Sequence, residues 1–118
     1  MHQQITYNGL VGFELEKIRK ELGMEQSEVS VATGISQPVL SRLEKGKAMI
    51  TIDQLFVICG ALGVKPEDII SKTSKGVEAF STEEAVKVTT TKEASTSGAI
   101  LTGAAIGALL TLFLTKGK

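Results

Sequence analysis

The chain has 118 residues, room for one small domain and a segment beyond it. Thirteen basic and thirteen acidic side chains cancel, so any attraction to nucleic acid or to an acidic partner has to be local. A single cysteine, Cys59, excludes a disulfide within the chain and suits a reducing compartment, and the absence of tryptophan predicts an aliphatic core. The opening MHQQITYNGL has no basic stretch followed by an apolar run, so no cleaved secretory leader is expected. Residues 1–9 read as an N-terminal arm, and its one histidine, His2, cannot build a metal site alone.

Residues 10–72 carry apolar positions at helical spacing. Leu15, Ile18 and Leu22 share one face of a first helix, which Gly23 ends. A second short helix is expected from Gln26 to Thr33, with Val29 and Ala32 inward and Gly34 after it. Ser36 is a good N-cap for a third, carrying Val39, Leu40 and Leu43 and closed by Gly46. Thr51 and Gln54 form a capping box for a fourth helix, DQLFVICGALG. Pro66, Glu67 and Asp68 read as the first turn of a fifth that ends near Ile70. No strand is expected: VKVTTT, residues 86–91, has strand propensity but stands isolated in a polar stretch.

Residues 73–97 are rich in serine, threonine and charge and read as a flexible linker, reaching roughly 25–30 Å as a coil. Residues 98–115, GAILTGAAIGALLTLFLT, carry no charge. As one helix this run would be about 27 Å long, just enough to span a bilayer core of about 30 Å. Ala99, Gly103, Gly107 and Thr111 recur every fourth residue, a small-residue stripe of the glycine-zipper kind that lets two membrane helices approach closely. Lys116 and Lys118 could snorkel to headgroups. The alternative is a soluble bundle of tails between protomers.

The second and third helices are joined by TGIS, which is helix-turn-helix spacing with a glycine free to take positive φ. The stretch IRKELGMEQSEVSVATGISQPVLSRLEKGK resembles the Cro/repressor-type (XRE) family, the fold of lambdoid phage repressors. That resemblance covers residues 10–72 and implies an all-α, five-helix domain that binds double-stranded DNA without a cofactor. It implies base-reading roles for Gln37, Pro38, Ser41 and Arg42 on the third helix. It implies phosphate contacts from Gln26, which also braces the next glutamine, and from Lys45 and Lys47. It also implies an ion pair between Arg19 and Glu44. Two departures stand out. Glu25 replaces the usual serine or threonine cap, and Pro38 stands where a polar reader is common.

No paired carboxylates, activated nucleophile or phosphate-binding glycine loop point to an enzyme. The reading is a sequence-specific regulator, dimeric on a two-fold site through Phe56, Val57 and Val64. Its tail is expected to anchor it to the cytoplasmic face of the inner membrane. Two alternatives stay open: a membrane-anchored adaptor whose helix-turn-helix binds protein, and a cytoplasmic repressor or antitoxin whose tail oligomerises.

Overall fold

The computed structural model describes residues 3–82, 86–91, 94, 100–101 and 103–116, with side chains as far as Leu112. In chain order the elements are β1 (Gln3–Thr6), α1 (Tyr7–Glu21), α2 (Gln26–Thr33), α3 (Gln37–Glu44), α4 (Ile52–Leu62), α5 (Pro66–Ser81), β2 (Val86–Thr89) and α6 (Gly103–Lys116). The helical class stands, with two short strands added.

Local chemistry places the first five helices. The Thr6 hydroxyl accepts from the Gly9 N–H at 2.8 Å and starts α1. Gly23, Gly34, Gly46 and Gly63 take positive φ just beyond the ends of α1 to α4. The Thr51–Gln54 capping box opens α4, each residue accepting from the other's backbone N–H. One core joins these helices around Leu15, Ile18, Val29, Leu40, Leu43, Leu55, Ile58 and Ile69. Cys59 lies fully inside it, where burial pushes its thiol pKa up and keeps it unreactive. Ala32 and Leu22 are exposed instead of inward.

Three expectations about the rest of the chain need correction. The N-terminal arm is no free arm where it is described. β1 pairs in parallel with β2, from Gln3 opposite Val86 to Thr6 opposite Thr89. Ile5 is fully buried there, and the VKVT that opens VKVTTT is a paired strand and not an isolated one. The fifth helix does not end at Ile70 but runs on to Ser81. Its inward residues Ile69, Thr73, Gly76 and Phe80 continue one face across the expected linker. Phe80 is the largest fully buried side chain, and its burial contributes about 3 kcal/mol.

The apolar tail is not one element. Ile100 bridges Gln4 on β1, and the Leu101 N–H donates to the Gln4 carbonyl at 2.8 Å. Among the tail's described residues the helix begins at Gly103, and α6, 14 residues to Lys116, is about 21 Å long against the roughly 30 Å of a bilayer core. Among the described residues, no helix is long and apolar enough to cross a membrane. α6 instead docks on α1 and α5. Leu101, Ile106 and Leu110 close a second core with Ile5, Leu10, Phe80 and Val86. Of the small-residue stripe, Gly103 and Gly107 face α1 of the same chain, while Thr111 is exposed. A methyl group on Gly107 would sit 3.1 Å from the Phe13 ring, and one on Gly103 3.6 Å from the Glu16 carboxylate. Ala99, His2 and Lys118 lie outside the described residues. The Lys116 side chain does as well.

One buried group is poorly served. Glu14 is 6% exposed, and its Oε2 has no hydrogen-bond partner among the described residues. Burial raises its pKa above the ordinary 4.5, partly offset by Lys17 and Lys72. Folding therefore favours the neutral carboxyl. The stability it contributes is full below the ordinary glutamate range and is lost as pH rises through the raised value. Glu14→Gln is expected to raise stability at pH 7 by about 1 kcal/mol and to leave it nearly unchanged at acid pH. Thermal denaturation across that range checks this, and a variant less stable at neutral pH contradicts it.

Candidate nucleic-acid interface

The turn between α2 and α3 is held by side chains as well as by glycine. Gly34 caps α2 at φ 77°. The Ser30 hydroxyl donates to the Ile35 carbonyl at 2.6 Å. The Thr33 hydroxyl donates to the Val29 carbonyl at 2.7 Å and accepts from the Ile35 N–H at 3.2 Å. With Ile35 turned partly into the core, the angle between the two helices is set. Ser30 and Thr33 just before the glycine are a sequence signal for this turn, one that helix spacing alone does not use.

α3 begins at Ser36, whose hydroxyl accepts from the Val39 N–H at 3.4 Å. Pro38 sits in the first turn, where its missing N–H costs little. Leu40, Leu43 and Glu44 point inward. Gln37, Pro38 and Arg42 are exposed and Ser41 is half-buried. Val39 is 36% exposed and so joins the outer face, where an apolar side chain can meet a thymine methyl. The helix ends in a Schellman turn. The Lys47 N–H donates to the Arg42 carbonyl at 2.8 Å and the Gly46 N–H to the Leu43 carbonyl at 3.1 Å. Lys45 and Lys47 stand exposed on either side of Gly46.

Behind this face lies a buried polar node. Arg19 Nε donates to Glu44 Oε2 at 2.7 Å and Nη2 to Oε1 at 2.9 Å, a bidentate pair with side chains 8% and 3% exposed. Arg19 Nη1 donates to the Met24 carbonyl at 2.8 Å. The hydrogen bonds it donates to Glu44, opposed by burial, hold the guanidinium pKa above its usual value. Gln26 Nε2 donates to the same Glu44 Oε1 at 2.9 Å. The amide nitrogen of Gln26 therefore braces Glu44, where the family resemblance implies Gln37. Three helices are pinned at one carboxylate: α1 through Arg19, α2 through Gln26 and α3 through Glu44. Glu25 costs the cap of α2 little, because Glu28 Oε1 accepts from the Glu25 N–H at 3.0 Å.

Among the described residues no group of three or more His, Cys, Asp or Glu could hold a metal. The arrangement suits groove reading: a rigid short helix, an outward face of glutamine, arginine and small residues, and two lysines beside it. A short helix, a locked turn and a second short helix with an exposed outer face define a helix-turn-helix domain.

The sequence family described as helix-turn-helix matches residues 15–69. The HTH-type transcriptional regulator y4dJ of Sinorhizobium fredii is 36% identical over 66 residues, covering 56% of this chain and 86% of that protein. An HTH-type transcriptional regulator of Haemophilus influenzae is 32% identical over 50 residues, 42% of this chain and 51% of that protein. Two solved structures share the fold. The clp gene regulator ClgR from C. glutamicum has a TM-score of 0.57 at 26% identity, over 58% of this chain and 90% of its own. The wild-type restriction-modification controller protein C.Esp1396I has a TM-score of 0.56 at 25% identity, over 61% and 94%. The chain belongs to the helix-turn-helix family of transcriptional regulators, a DNA-binding and non-enzymatic class.

Proposed function

We propose that the protein is a sequence-specific transcriptional regulator that reads DNA through Gln37, Pro38, Ser41 and Arg42, with Val39 beside them. The observation that carries this reading is the contrast between the two sides of α3. Its inner side is locked by Glu44, while its outer side presents Gln37 and Arg42 to solvent above Lys45 and Lys47. Arginine can pair bidentately with guanine and glutamine with adenine. The lysines, and Gln26 at the start of α2, supply phosphate contacts that set register.

Two copies pair on a two-fold site. Support comes from α4, which carries a single charge, Asp53, and leaves Ile52 69% and Phe56 58% exposed. Val57 adds to this surface, while Val64 packs partly on the core and contributes less.

Arg42→Ala is expected to weaken binding to a selected duplex by about ten- to a hundredfold and to relax the preference at one base position. Lys45→Ala should weaken all sequences alike and lower the salt slope by about one. Gel shifts of the full chain over a salt series measure both. Equal loss on all sequences from Arg42→Ala would remove it from the base readers.

A further inference from the structure

We propose that the C-terminal elements, β2 with Thr91 and the docked α6, form an intramolecular brace for the turn that carries Lys45 and Lys47, with Asn8 the positioning residue that transmits it. This inference rests on the DNA-binding reading for its consequence, though not for its geometry. Asn8 Oδ1 accepts from the Ile50 N–H at 2.9 Å, and Asn8 Nδ2 donates to the Thr91 hydroxyl oxygen at 2.8 Å. The orientation of the amide is dictated by Ile50, whose N–H can only donate. One side chain thus ties the segment that follows α3 to the chain just beyond β2, its two partners lying 42 and 83 residues further along the sequence.

The backbone repeats the same connection. The position a methyl would take on Gly46 lies 2.6 Å from the Gly9 Cα, so the turn bearing Lys45 and Lys47 rests directly on the start of α1. That start is in turn held by the second core. Thr6 caps it and pairs with Thr89 of β2. The Ile106 Cδ1 of α6 lies 4.0 Å from where a methyl on Gly9 would be. A cleft of about 490 Å³ is lined by Lys45–Lys47 on one side and by Ile100, Leu101, Gly103 and Ala104 on the other, so the tail approaches the turn without filling the space between them. The tail therefore sets the turn's position from behind, through α1.

Thr91→Val removes the tail's bond to Asn8 while leaving the helix-turn-helix residues intact, and Thr91→Ser keeps the hydroxyl. Both are made in the full chain. Amide hydrogen exchange should speed up about fivefold at Ile50 in Thr91→Val, stay native in Thr91→Ser, and leave the core amides of α2 and α4 unchanged. Affinity for the tightest duplex selected from a random pool should fall about fivefold in Thr91→Val only. In an Asn8→Ala background Thr91→Val should add nothing, because the two residues act through one bond. Native exchange at Ile50 in Thr91→Val overturns the brace, as does a uniform rise across all amides. If the native chain binds no duplex, the DNA reading fails while the exchange result still decides the brace.

Discussion

Replacing Glu44 by alanine is expected to cost about 3–5 kcal/mol of folding stability, more than any other single change at the interface. The side chain is 3% exposed and accepts three hydrogen bonds, two from Arg19 and one from Gln26. Its removal leaves a buried guanidinium whose remaining hydrogen bond among the described residues runs from Nη1 to the Met24 carbonyl. The large figure reflects this stranded charge, because an intact buried pair is worth little against apolar residues of the same shape. Denaturant unfolding measures the loss. The double variant Arg19→Met, Glu44→Leu tests the cause, since it removes both charges and should recover much of the stability. A double variant as unstable as Glu44→Ala would show that the pair contributes by its own attraction.

Gly12→Ala is expected to destabilise by about 3 kcal/mol and to displace the end of α3. Alanine in a helix interior is ordinarily about 1 kcal/mol better than glycine. Here the added methyl would overlap the Leu43 carbonyl oxygen and lie 2.7 Å from that of Glu44, so helix backbone itself must retreat. Gly60 on α4 is the control. It is exposed, and a methyl there would meet nothing within 4 Å, so Gly60→Ala should be stabilising. Thermal melts of the two variants should move in opposite directions. A Gly12→Ala protein as stable as the native chain would mean that α1 and α3 do not meet at this distance.

The helix-turn-helix is legible in the sequence because its signals are local. Ser36, Thr51 and the glycines after each helix act within four residues, and the buried periodicity of Leu15 and Ile18 needs no partner to be read. The C-terminal part is not legible for the opposite reason. β1 pairs with β2 across some eighty residues, and no local pattern in Gln3–Thr6 announces a parallel partner that far away. Residues 73–81 read as linker because serine, threonine and lysine outnumber the apolar positions, yet Thr73, Gly76 and Phe80 continue the inward face of α5. The tail's hydrophobicity reads as one membrane-length helix. Hydropathy counts apolar residues without seeing that Ile100 and Leu101 run along β1, or that Gly103 and Gly107 make room for α1 and not for a second tail. At the interface the sequence points to the outward residues, while the pairing of Gln26 with Glu44 requires the fold.

Selection of duplexes from a random pool by the full-length chain, followed by a salt titration of the winner, decides whether the outward face of α3 reads DNA. The expected result is a two-fold-symmetric site bound by two copies, with affinity that falls steeply as salt rises and is lost in Arg42→Ala. Failure to enrich any duplex at low salt, from a chain shown to be folded, would contradict DNA reading and leave that face as a surface for binding protein.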